Sequence, residues 1–276
     1  MISIIICSIN NLLLEKCKLN FIQTIGVDYE FIEINNLKEK LSLSDAYNKA
    51  ALVSKFNVLL FIHEDVEFIK PHWGKKLINI LKKKEIGVVG VAGSTYLSIV
   101  PSGWYMPDDS LNKVYIHQGF KYKTAPIRFD NQGEDLTPVY LLDGVFLAMR
   151  KEIWEEFPFN ENLEGFHAYD VDICQRVSSK YQNIFTNQIE ILHHSEGKVD
   201  KNYFDALLNY KKQYMNFNYH KRNYKIEFEL LFQFYKHLRC YYDKHECISK
   251  ILPFVKFKYL GVRGYFSFHK FLRNEK

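Results

Sequence analysis

Residues 59–73 read LLFIHEDVEFIKPHW. Aliphatic and aromatic residues run without a break into His63, Glu64 and Asp65, groups that bind protons or metal ions and are costly to bury unpaired. A buried β-strand that ends at Ile62 resolves the conflict. The strand lies in the core, and the polar triplet faces solvent or a cleft where the chain leaves it.

This stretch is one of a series. ISIIIC (2–7), YEFIEI (29–34), NVLLFI (57–62) and IGVVGVAG (86–93) read as strands. NLLLEKCKLNFIQTI (11–25), SLSDAYNKAALVSK (42–55) and PHWGKKLINILKK (71–83), with Pro71 in its first turn, read as helices. Strands that are apolar throughout and alternate with helices predict a mostly parallel sheet covered on both faces, an α/β fold of doubly wound type. In such sheets ligands bind at the carboxyl ends of the strands. His63, Glu64 and Asp65 stand at that edge.

The chain has 276 residues, 47% of them hydrophobic, enough for one large α/β domain or for one domain plus an appendage. No window approaches the roughly 18 apolar residues of a membrane span, and MISIIIC lacks the basic stretch and cleavage site of a secretory signal. A cytoplasmic address is expected. Cys7, Cys17, Cys174, Cys240 and Cys247 are odd in number and include no Cys-x-x-Cys pair, so they read as reduced core thiols. The net charge of +5 is concentrated in residues 250–276, which hold seven basic residues against Glu275 alone.

After residue 94 the periodicity fades into long loops rich in proline and aromatic residues, with a short hairpin around KVYIHQGFKYK (113–123). Loops of this length in a compact domain are commonly binding loops, and Trp104 in PSGWYMP is a candidate to stack on a ligand. Packing within the loop is an equal alternative. VYLLDGVFLAMRKEIWE (139–155) reads as a strand and short helix, YDVDICQRVSSKY (169–181) as a helix and NIFTNQIEILHH (183–194) as a strand. Beyond residue 200, Leu231, Phe234, Tyr235, Leu238 and Tyr242 fall on one helical face. The domains expected are therefore 1–200 and a helical, basic appendage over 201–276.

Four polar groups close apolar segments: His63-Glu64-Asp65, Asp143, Asp170 with Asp172, and His193-His194. Carboxylates and imidazoles are ligands that Mn²⁺ or a similar cation accepts, and such a cation neutralises diphosphate charge. Each group has a simpler reading. Asp170 and Asp172 suit the positive end of a helix, Asp172 can pair with Arg176 at i+4, Asp143 suits a turn, and the histidines suit a strand end.

FIHEDV, LLDGVFLAMRKEIWEEFPFNENLEGFHAYDVDICQR and ILHHSEG, in this order, resemble the family 2 type nucleotide-sugar glycosyltransferases of GT-A fold. The similarity is to the glycosyltransferase-like subset that writes His-x-Asp-Val where others write Asp-x-Asp, and it spans residues 2–200. It implies that Asp65 is a metal ligand on the donor diphosphate, joined by His193 or His194, with His63 and Glu64 in the nucleotide cleft. It implies Asp170 as the general base, in a helix where Tyr169 replaces the family's preceding acid. Ser8 and Asn10 after the first strand, Glu33 and Asn35 at the end of the second, and Asn48 are then donor contacts. Trp104, Asp143 and Asp172 are left to the acceptor.

The activity implied is inverting, metal-assisted (Mn²⁺ or Mg²⁺) transfer from a UDP, GDP or dTDP sugar to a glycan or lipid-linked acceptor, in a setting such as polysaccharide biosynthesis. A metal-dependent phosphohydrolase or nucleotidyltransferase, or a noncatalytic binding homologue, uses the same residue types. The basic, aromatic tail reads first as a solvated face and second as a peripheral contact with the inner face of a membrane; no nucleic acid partner is expected.

Overall fold

The computed structural model describes residues 1–120, 123, 125–130, 134–194, 199–214 and 222–275. The chain divides into two compact units, Met1–Thr95 with Asn112–Gly197, and Tyr96–Leu111 with Lys198–Lys276.

The elements of the first unit are β1 (Ile2–Ser8), α1 (Asn11–Thr24), β2 (Tyr29–Asn35), α2 (Asn36–Glu39), α3 (Leu43–Leu52), β3 (Val58–Ile62), β4 (Val66–Phe68), α4 (Trp73–Leu81), β5 (Ile86–Gly90) and β6 (Ala92–Ser94). They continue with β7 (Asn112–Gln118), β8 (Ile127–Asp130), β9 (Leu136–Val139), β10 (Leu141–Leu142), β11 (Phe146–Arg150), α5 (Lys151–Glu156), α6 (Tyr169–Val177), β12 (Gln182–Thr186) and β13 (Ile191–His193).

The larger sheet runs β2-β1-β3-β11-β5-β12-β9. Its first three strands are parallel, as is β5 with β12, whereas β11 enters antiparallel between β3 and β5 and β9 is antiparallel to β12. The sheet is thus mixed where a mostly parallel one was expected. The change of sense comes from β11, which pairs antiparallel with both of its neighbours, β3 and β5. A second sheet runs β10-β6-β7-β13-β4, with β8 paired to β7.

Two strands expected to be continuous are each split between the sheets. IGVVGVAG breaks at Val91 into β5 and β6, and NIFTNQIEILHH into β12 and β13. At the first break a Cβ on Gly93 would stand 2.1 Å from the Leu141 carbonyl oxygen, so glycine lets β10 pass.

Helix burial follows sequence periodicity. α4 buries Trp73, Leu77, Ile80 and Leu81, and Trp73 stacks on Phe68 with ring centroids 3.8 Å apart. Of the five cysteines, Cys17, Cys174 and Cys247 are buried and Cys7 is partly so, but Cys240 is exposed, contrary to the expectation of core thiols throughout.

The second unit contains α7 (Lys201–Gln213), α8 (Tyr224–Leu238), α9 (Lys244–Ile251) and α10 (Phe257–Asn274). Leu231, Phe234, Tyr235 and Leu238 form the buried stripe of α8. Residues 96–111, assigned from the sequence to the first domain, pack here instead. The carboxylate of Glu227 on α8 accepts hydrogen bonds from the Tyr96 hydroxyl (2.8 Å), Ile99 N (3.0 Å) and Val100 N (3.1 Å). Lys211 on α7 donates to the Ser98 carbonyl oxygen. Both charged residues are fully buried, and burial pushes the Glu227 carboxyl up and the Lys211 amine down to about 8.

Glu227→Ala would leave two backbone N–H groups without an acceptor and Lys211 without its nearby counter-charge. A loss of about 3–5 kcal/mol in urea unfolding is expected; a loss below about 1 kcal/mol would show that residues 96–111 are held by something else.

Candidate metal and donor site

His63 is the first residue after β3, and its N–H donates to the Val145 carbonyl oxygen at the start of β11 (3.3 Å). Asp65 immediately precedes β4, and His193 ends β13. In the second sheet β13 lies between β4 and β7, with His193 opposite Val66 on one side and Gln118 on the other. This register places His193 Nε2 3.4 Å from Asp65 Oδ1. His63, Asp65 and His193 each offer a ligand atom, and the three atoms lie within 4.8 Å of one another. Ligand atoms about 2.0–2.4 Å from one divalent ion lie at most about 4.8 Å apart. The cluster fits a single cation.

The chemistry of the donor set agrees. The Gln118 side-chain nitrogen donates to the Gly119 carbonyl oxygen (3.0 Å), which turns its oxygen toward His193 Nδ1 (3.1 Å). An amide oxygen only accepts, so His193 carries a proton on Nδ1, and in the neutral imidazole this leaves Nε2, the atom that faces Asp65, to act as a ligand. A lone pair facing a carboxylate oxygen is repulsive unless a positive charge lies between them. The ring of His63, centroid 5.8 Å from that of His193, is held by the Tyr169 hydroxyl at 3.1 Å from Nε2. Burial first and His193 second depress the His63 pKa, which favours the neutral, ligating imidazole.

Asp170 sits in the first turn of α6, one residue beyond Tyr169. Its carboxylate accepts from Val171 N (2.9 Å) and Gly144 N (3.3 Å). Burial, and then the neighbouring Asp143, push its pKa up to about 7. Gly144 is required for this arrangement, since a Cβ there would stand 1.9 Å from the Tyr169 hydroxyl oxygen. Asp143 accepts from Val145 N (2.7 Å), the turn contact that its sequence also suggested.

The other expected residues are distributed as follows. Glu64 accepts from the Ser8 hydroxyl (2.5 Å) and from Asn10 N (3.0 Å), so it organises the β1–α1 loop. Asn10 caps α1. Ser8 pairs in register with Asn35, whose side-chain oxygen is buried without a hydrogen-bond partner. Glu33 pairs with Lys18, and Asn48 is engaged by Trp154, Phe159 and Glu161. Asp172 is fully buried in an ion pair with Arg176, its simpler reading. His194 pairs with Glu67 at 2.9 Å and lies outside the three-residue cluster, which His63 joins in its place. Trp104 belongs to the second unit, edge-on to Tyr105.

The profile of the Glycosyltransferase like family matches residues 3–222. The chain belongs to this glycosyltransferase-like family. Its fold is that of GT-A glycosyltransferases. The crystal structure of GalNAc-T7 with UDP, GalNAc and Mn²⁺ matches with a TM-score of 0.51 at 13% identity, over 76% of this chain and 47% of that one. That of S. aureus TarS 1–349 with UDP-GlcNAc matches with a TM-score of 0.53 at 10% identity, over 90% and 75%. This chain therefore spans about half the length of the GalNAc-T7 chain. No curated protein sequence matches it.

Gln118 and Gly144, which sequence reasoning did not single out, and Tyr169, to which it gave no role, shape the site of this glycosyltransferase-like protein. The signal for Tyr169 was present as the departure from the family's acidic pair. Gln118 ends the alternating strand KVYIHQ, but nothing local to it points to His193, 75 residues away. Gln118→Leu should keep the fold and weaken Mn²⁺ binding by about tenfold in calorimetric titration, the usual effect of losing a group that orients a ligand imidazole. Unchanged affinity would mean that Gln118 does not set the imidazole.

Proposed function

We propose that the chain is an inverting, metal-assisted glycosyltransferase acting on a nucleoside diphosphate sugar. The observation that carries this reading is the adjacency of a cation-sized cluster, His63, Asp65 and His193, to a carboxylate whose pKa is raised to about 7. Tyr169 is the link, since it neighbours Asp170 in the chain and touches His63.

In this reading the cluster holds a divalent cation, Mn²⁺ or Mg²⁺, which supplies charge neutralisation for the departing diphosphate. Asp170 takes the proton from the acceptor hydroxyl as its oxygen bonds to the anomeric carbon, and the bond from that carbon to the diphosphate oxygen breaks. Attack opposite the leaving group inverts the anomeric centre. A carboxylate with a pKa near 7 is suited to this work, being about half deprotonated at neutral pH and a far better proton acceptor than an ordinary aspartate.

We assign Asn35 to the nucleotide, because its buried, unpartnered oxygen beside Ser8 at the carboxyl edge of β1 and β2 can accept from a base N–H. UDP, present in the GalNAc-T7 structure and as UDP-GlcNAc in that of TarS, is the first nucleotide to test, followed by GDP and dTDP. A glycan or lipid-linked hydroxyl is the acceptor class.

Asp170→Asn should abolish sugar transfer, by more than about a thousandfold, while UDP still binds in the presence of Mn²⁺. Transfer at the original rate would remove Asp170 from the mechanism. Because the base acts deprotonated, turnover in the original chain should rise as pH climbs through about 7. The same shift sets the sign for stability. The folded carboxyl binds its proton more tightly than the unfolded one, so its ionisation costs stability as pH rises from about 4 to about 7. Asp170→Asn should accordingly melt no lower than the original chain at alkaline pH.

A further inference from the structure

The family match ends at residue 222, before α8 begins. Within the helices that follow, α10 is broken at Gly261, whose φ of 66° and ψ of 173° interrupt the helical path. A Cβ there would stand 2.9 Å from Cγ of Tyr224, so the close approach to α8 also requires glycine. At this break lies a cavity of about 550 Å³, walled by Tyr224, Phe228, Leu260 and Val262 and carrying Lys225 and Arg263 as its charged members.

Beyond the break α10 has two distinct faces. Phe268 is fully buried and meets Phe228 and Tyr235, and Phe271 meets Phe232 and Tyr235. The other face carries Val262 and Phe266, one turn apart and 64% and 60% exposed. Phe257, 48% exposed, stacks on Tyr265 at 3.8 Å and extends this apolar strip. Exposed Lys256, Lys258, Arg263, Lys270 and Arg273 flank it. Glu275, which follows α10 and is the one acidic residue of 250–276, is bound to Arg239 and Tyr235. A solvated helix face carries charge; this one combines charge of a single sign with large exposed apolar side chains, the composition of helices that lie in a lipid interface. Val262 and Arg263 belong to both the strip and the cavity, so the apolar recess and the cations share one surface.

We propose that this face of α10, with Phe257, Val262 and Phe266 inserted and Arg263 and Lys270 beside them, docks on an anionic lipid bilayer. Charge complementarity selects the partner, because each cation near an anionic leaflet strengthens binding by roughly fivefold, and the aromatic residues supply apolar contact that a purely electrostatic partner would not use.

The test is sedimentation of the full chain with phosphatidylcholine vesicles, with and without phosphatidylglycerol, at near-physiological salt. The chain should pellet with the anionic vesicles and stay in solution with the neutral ones. Phe266→Ser and Arg263→Glu, both at exposed positions, should each lower the partition coefficient by about tenfold without changing the melting temperature or the binding of UDP. No pelleting with anionic vesicles, equal pelleting with both kinds, or pelleting that both variants retain would overturn the proposal. Neither substitution alters a residue of the donor site, so the outcome is independent of the catalytic reading.

Discussion

The pairing of β13 between β4 and β7 is the constraint on which the site depends. It sets His193 opposite Gln118 and against Asp65, and so turns the imidazole Nε2 toward a carboxylate oxygen 3.4 Å away. Such a contact does not stabilise a fold unless something positive is shared across it. A proton or a metal ion satisfies the requirement, and the second imidazole of His63, whose pKa burial depresses, favours the metal. A slip of one residue in either pairing would turn His193 to the other face of the sheet and dissolve the cluster.

Around this centre the fold repeatedly uses residues that have no side chain, or a rigid one, to fix charged groups. Gly144 gives its N–H to Asp170 and its empty Cβ position to Tyr169. Tyr169, fully committed by burial to its neutral form, is both the neighbour of Asp170 in the chain and the support of His63. The carboxylate is held by two backbone donors yet remains hard to ionise, because burial and Asp143 outweigh those bonds. Its partner in sequence, Asp172, is likewise pushed up by burial, but Arg176 one turn away pairs with it inside the core and offsets part of that cost. Two aspartates separated by one residue thus divide into one held by backbone donors alone and one paired with an arginine.

This division explains what could be read in the sequence. The strand at 57–62, the helices at 11–25, 42–55 and 169–181, and the stripe from Leu231 to Leu238 follow from local periodicity, and each forms. The polar triplet after Ile62 was legible for the same reason, since a buried strand must end where charge begins. What was not legible depends on distant chain. Whether His63 or His194 completes the cluster turns on strand pairing, and Glu67 draws His194 away. Residues 96–111 carry no mark of belonging to the C-terminal helices, because the carboxylate that holds Ile99 lies 128 residues later. The split of two apolar runs between sheets at Val91 and after Thr186 leaves hydrophobicity unchanged and is likewise invisible to periodicity.

The central claim is that His63, Asp65 and His193 form one cation site. X-ray data collected at the manganese absorption edge from crystals grown with Mn²⁺ and UDP test it most directly. An anomalous peak within bonding distance of all three side chains is the result expected. Manganese held only by the nucleotide, with the two imidazoles and the carboxylate left as they are, would contradict the account.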